Sequence, residues 1–125
     1  MKAFYIFQRK MSYINRKKNS SWKKHVLKNL IVDLILYEKI ETNASNIKNL
    51  ANLLSKLINW AKKDNLHSRR MACRYIEKKQ KETIKKLFSE LKERYKKREG
   101  GYSRANKLKL RKGDGSLRII FSLVK

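Results

Sequence analysis

The 125-residue chain has no proline, four glycines, a single cysteine, two histidines and only 10 acidic side chains. Each shortage closes off a class of protein. One cysteine, Cys73, leaves no intramolecular disulfide framework and fits a reducing compartment. His25, His67 and Cys73 lack the paired spacing of a zinc site. Among the few carboxylates only Glu90 and Glu93 fall close together on one helical face, too few for the metal cluster of a nuclease. Long apolar runs are also missing. The longest, Leu30 to Tyr37, is interrupted by Asp33, well short of the roughly 20 residues that span a bilayer. Ala3 to Phe7 is too short for a signal-peptide core and lacks a small-residue cleavage site, so an intracellular protein is expected.

What the chain has in excess is positive charge. There are 34 lysines and arginines, a formal net charge of +24 and a pI near 10.4. A compact state carrying such a charge repels itself unless a polyanion neutralises it, and nucleic acid is the expected partner. The charge is uneven. Residues 1–30 carry nine cations and no carboxylate, residues 31–66 are nearly balanced, and the excess returns from Arg69 onward. Apolar residues make up 41% of the chain and recur most regularly in the balanced middle, enough for the core of one domain. The expected organisation is a basic N-terminal arm over residues 1–19 and a single globular domain over residues 20–125.

Periodicity predicts the elements of that domain. After an N-cap at Ser20 or Ser21, the residues Trp22, Val26, Leu27, Leu30, Ile31, Leu34 and Ile35 recur at helical spacing, to an end near Tyr37 or Glu38. Lys39 to Thr42 is long enough only for a brief strand. Asn43 then caps a helix with the stripe Ile47, Leu50, Leu53, Leu54, Leu57, Ile58 and Ala61. A third helix over about Leu66 to Lys79, capped by Asp64 or Asn65, should bury Ala72, Cys73 and Ile76. A fourth carries Ile84, Leu87, Phe88, Leu91 and Tyr95, with Gly100-Gly101 as its stop. The period then changes to two. Leu108 and Leu110 alternate with Lys107, Lys109 and Arg111, which predicts one apolar and one basic strand face. Lys112-Gly113-Asp114-Gly115-Ser116 is turn chemistry, and Leu117, Ile119, Phe121 and Leu123 complete a C-terminal hairpin. With the Ile40 strand joining the hairpin sheet, the class is α+β in the order α-β-α-α-α-β-β, helices packed on a small sheet.

The densest polar cluster is Lys62, Lys63, Asp64, Asn65, His67, Ser68, Arg69 and Arg70 around the start of the third helix. Backbone N–H groups at a helix start, a hydroxyl and two arginines suit a phosphate. The same residues also suit an ordinary solvated turn. Asp64, His67 and Ser68 do not by themselves make a hydrolytic triad, which is a matter of geometry, and no nucleophile-elbow glycines surround Ser68. Trp22, Trp60 and Phe88 fall on apolar stripes and are expected in the core. Tyr13 and Tyr102 flank basic residues and suit either packing or stacking on unpaired bases.

Several of these segments recur in a recognisable order. Asn29-Leu30 through Ile40-Glu41-Thr42, Ala61-Lys62 to Arg69-Arg70, Lys86-Leu87-Phe88, Arg98-Glu99-Gly100-Gly101-Tyr102-Ser103-Arg104 and Arg111-Lys112-Gly113-Asp114 together resemble the bacterial large-subunit ribosomal protein L17 family, from about Met11 to Val124. The resemblance implies the same α-β-α-α-α-β-β domain, assembled on 23S ribosomal RNA beside neighbouring large-subunit proteins, with neither cofactor nor catalysis. The candidate RNA-contacting residues are Arg16, Lys17, Lys18, Lys23, Lys24, Lys62, Lys63, His67, Ser68, Arg69, Arg70, Tyr102, Arg104, Lys107, Lys109, Arg111 and Lys112. The chain departs from the family pattern in three places. Lys17-Lys18-Asn19 stands where a Gly-Arg is usual, Lys92-Glu93-Arg94-Tyr95 where a Gly-Pro-type break is common, and Ser116-Leu117-Arg118 where a proline-containing stretch is common. Family members begin near the position of Met11, so Met11 is the expected initiator, the alternative being a genuine extra arm whose Lys2, Arg9 and Lys10 bind RNA. From another class, a nucleoid-associated or regulatory DNA-binding protein would share the size, charge and helices, and would need a dimer surface and a base-reading helix.

Overall fold

The computed structural model describes residues 19–76 and 80–125. Asn19, rather than Ser20 or Ser21, caps the first helix, α1 (Ser20–Tyr37): its Oδ1 accepts from the Trp22 N–H at 2.8 Å. From Ile31 to Tyr37, α1 is apolar apart from Asp33, and of these residues only Asp33 and Tyr37 are exposed. Ile31, Val32, Leu34 and Ile35 are buried beneath neighbouring helices and the sheet. Trp22, expected in the core, is 48% exposed and lines a hollow with Asn43, Ser45 and Asn46.

The brief strand β1 (Lys39–Asn43) leads into α2 (Ala44–Lys63), the hub of the domain. Leu50, Leu54, Leu57, Ile58 and Ala61 form its fully buried stripe. The side chain of Asn43 makes no cap bond to α2; its Oδ1 accepts from Arg118 at 2.9 Å instead. Helix α3 (Leu66–Tyr75) is capped by Asn65, whose Oδ1 accepts from the Ser68 N–H at 2.7 Å. It is shorter than the span to Lys79 expected from sequence. Ala72 and Ile76 are buried as expected, whereas Cys73 is only half-buried.

The fourth helix, α4, is one continuous run in three parts: Lys81–Lys86, a wider π-helical turn over Leu87–Leu91, and a last turn over Lys92–Arg94. Leu87, Phe88 and Leu91 are buried, and Tyr95 follows them inward. The helix stops before Gly100-Gly101. Tyr95 leaves helical angles (φ −101°, ψ 9°) and donates its hydroxyl to the carbonyl of Val124. Gly101, at φ +62°, instead turns the chain into β2 (Ser103–Leu110).

The sheet has the order β1-β3-β2, antiparallel throughout, with β3 (Leu117–Leu123) in the centre. The α+β class and the element order match the sequence reading. Directly paired residues on antiparallel strands share a face. Ile40 opposite Phe121 and Thr42 opposite Ile119 therefore lie on the helix-covered side, and Lys39, Glu41, Arg118 and Arg104 on the open side. One expectation fails here. The register breaks between Lys107 and Lys109: Lys107 pairs with Ile119, but Lys109 pairs with Arg118 and Leu110 with Leu117. Leu108 is thus the extra residue of a bulge, and side chains after it change faces. Lys107 shares a face with Leu110, so β2 has no purely apolar side. Leu108 and Leu110 stay 45% and 64% exposed.

Candidate nucleic-acid interface

Two acidic residues organise the cations nearest the core. Glu38 ends α1 and Asp64 ends α2, each in the left-handed region at φ 62° and 44°, unusual for a side chain with a Cβ. Glu38 accepts two bonds from Arg94 (2.9 and 3.0 Å) and lies 3.2 Å from the Lys86 ammonium. Asp64 is held by Lys92 at 2.7 Å and by Arg69 at 2.8 Å. Hydrogen bonds from Arg94, then Lys86, hold the Glu38 carboxyl down to about 2 against the opposing effect of burial. Asp64 is likewise lowered, first by Lys92 and then by Arg69. Lys86, Lys92 and Arg94 thus serve the fold.

The structure separates the site residues named from sequence into three groups. The first faces inward. Ser68 is 2% exposed, and its backbone N–H is already committed to Asn65, so it is not open to a phosphate. Tyr102 is also 2% exposed: its ring meets Tyr95 edge-on at 5.2 Å, and its hydroxyl lies 3.1 Å from the Arg98 carbonyl it donates to. Packing claims the ring that was a candidate for base stacking, because Gly101 swings it under the end of α4. Lys62 sits 5.0 Å from the centre of that ring, donates to the Tyr102 hydroxyl at 2.9 Å and bonds the Arg98 carbonyl, so it works as a strut.

The second group is reachable but partly compensated. Arg69 is 56% exposed, yet it pairs with Asp64 and lies 5.2 Å over the Phe88 ring. Arg111 in the hairpin turn is paired at 2.8 Å with Asp114, which is held far below its usual range by Arg111 and then by the backbone N–H of Ser116. The third group is exposed and forms no ion pair among the described residues: Lys23 and Lys24 early in α1, Lys63, His67 and Arg70 around α3, and Arg104, Lys107, Lys109 and Lys112 along β2 and its turn. Arg16, Lys17, Lys18 and Tyr13 lie outside the described residues.

The Asp64–His67–Ser68 grouping does not converge: the Asp64 carboxylate is bonded to Lys92 and Arg69. Among the described residues no group of histidine, cysteine and carboxylates could hold a metal ion, and no helix is long and apolar enough to cross a membrane. Lys28 and Lys56, not among the sequence candidates, line a groove between α1 and α2 together with Lys24. The legible signal for Lys28 was its spacing four residues from Lys24, which places both on one helical face.

The fold and surface therefore define a class: a small, strongly basic α+β protein whose unpaired cations, among the described residues, lie on exposed faces. Residues 26–124 match the model of the family described as ribosomal protein L17, and the chain belongs to that family. It is 40% identical over 119 residues to the large ribosomal subunit protein bL17 of Mesoplasma florum, covering 91% of this chain and 100% of the relative. The bL17 proteins of Exiguobacterium sp. and Halalkalibacterium halodurans are each 38% identical, over 117 and 120 residues, with the same shares covered.

Proposed function

We propose that this chain is a structural constituent of the large ribosomal subunit, in the cytoplasm, where it binds 23S ribosomal RNA and lies against neighbouring large-subunit proteins in support of translation. The family match over residues 26–124 carries the reading, and the surface is consistent with it. Of the nine acidic residues within the described regions, Glu38, Glu41, Asp64, Glu90 and Asp114 are taken up in ion pairs, while Arg104, Lys107, Lys109 and Lys112 stay uncompensated along one hairpin. Lys107 lies on the opposite face of β2 from Arg104 and Lys109, so the hairpin offers unpaired charge on both faces, and each phosphate it neutralises releases counterions. No cofactor enters this role.

The test is binding of the full-length chain to large-subunit RNA across a salt series, with duplex DNA as competitor. Lys107→Ala combined with Lys109→Ala is expected to reduce the slope of log affinity against log salt by roughly one to two. An unchanged slope would remove the hairpin from the interface. Equal affinity for the DNA duplex would favour a nucleoid protein over a ribosomal one.

A further inference from the structure

Between α1 and α2 runs a trench made of two adjoining hollows that share Leu27 and Asn49. Trp22 stands at one end, and Tyr75 of α3, packed against Trp60 at 5.7 Å, closes the other. Half-buried Leu27 and Leu53 give it an apolar floor. Lys24 and Lys28 line the α1 side and Lys56 the α2 side, and among the described residues no carboxylate lines either hollow.

The α2 wall has a feature the fold does not require. Asn46, Asn49 and Asn52 follow one another at three-residue intervals and so point along one side of the helix. Asparagine is a poor choice inside a helix, because its amide competes for the backbone. Asn46 donates to Thr42 Oγ1 at 3.3 Å, whereas Asn49 and Asn52 are exposed and make no hydrogen bond among the described residues. Idle amides between lysines, over an apolar floor and beside a ring 48% exposed, are the set that contacts bases and phosphates together.

We propose that this trench seats an unpaired, single-stranded stretch of RNA. The lysines meet its phosphates, the Asn49 and Asn52 amides meet base edges, and Trp22 offers a surface for stacking. A duplex presents its phosphates and ribose outward and keeps its base faces stacked, so it makes no use of the floor or the ring. The chain's own N-terminal residues 1–18 are an unsuitable occupant, since they carry six lysines and arginines and no carboxylate. The inference rests on the RNA-binding reading above and specifies which part of the RNA this face takes.

The experiment is ribose 2′-hydroxyl acylation of large-subunit RNA with and without the full-length chain, together with crosslinking in the assembled subunit. Asn49→Ala with Asn52→Ala is one variant and Trp22→Ala a second; alanine favours the helix, and melting temperature checks that each variant folds. Wild type is expected to protect a short set of unpaired nucleotides. Each variant should lose that protection, and Trp22→Ala should bind roughly ten-fold more weakly, the scale of one lost stacked base, while the Lys107/Lys109 variant keeps the protection. If Trp22→Ala also melts early, the asparagine variant decides alone. Protection that survives in the asparagine variant, protection of paired nucleotides only, or crosslinks from α1 and α2 to a protein instead of RNA would each overturn the trench and leave the ribosomal reading standing. A wild-type chain with no preference for large-subunit RNA over duplex DNA would overturn both.

Discussion

Glu38 and Arg94, 56 residues apart, meet in a two-point ion pair with contacts of 2.9 and 3.0 Å. Its counterpart is the pair of Asp64 with Lys92, only two residues earlier on α4. One turn of α4 therefore ties down the C-terminal ends of both α1 and α2. Each acid sits in a left-handed conformation that glycine or asparagine usually fills, and the ion pairs help offset the cost of that geometry.

The Glu38 pair makes acid stability depend on Arg94. The folded carboxyl is lowered to about 2 from an ordinary 4.5, chiefly by Arg94, so its contribution is fully present above about 4.5 and is lost as pH falls toward 2. The side chain keeps 22% exposure and solvent screens the pair, which puts the contribution at about 1 kcal/mol. Urea unfolding of Arg94→Leu is expected to show that deficit at pH 7 and convergence with wild type by pH 2. A deficit that persists to pH 2 would mean that Arg94 acts through packing.

Burial separates two leucines that look alike in sequence. Leu54 is fully buried and Leu110 is 64% exposed. Leu54→Ala is expected to cost about 2–5 kcal/mol, and Leu110→Ala less than about 0.5 kcal/mol. Similar losses from the two would contradict the β2 register.

The bulge yields a test by deletion. Removing Leu108 takes out the unpaired residue and leaves Lys107 opposite Ile119, Lys109 opposite Arg118 and Leu110 opposite Leu117. The shortened chain should fold with nearly unchanged melting temperature and keep the Leu110–Leu117 cross-strand contact by NMR. Loss of that contact would show that Leu108 holds the register.

Tyr102→Phe should separate structure from binding. The hydroxyl it removes accepts from Lys62 at 2.9 Å and lies inside the domain, so stability should fall by about 1 kcal/mol with RNA affinity unchanged. Weaker binding at unchanged stability would return this tyrosine to the interface.

The local pattern of the chain was enough for the class, the order of elements, the stripes of α2 and α4 and the joining of β1 to the hairpin, because periodicity and turn chemistry are written residue by residue. The charge of +24 pointed to a polyanion for the same reason: it is a sum that no folding alters. Which cations remain free is a different kind of fact. Lys62, Arg69 and Arg94 look like any other basic residues until the folded chain brings them to partners 5 to 56 residues away. Tyr102 became core because residues distant in sequence cover it, while Trp22 stays 48% exposed. The single extra residue at Leu108 reversed the faces of β2, since strand facing depends on the partner's register as well as on alternation along the strand. Those pairings are set by tertiary packing, and only the folded chain decides them.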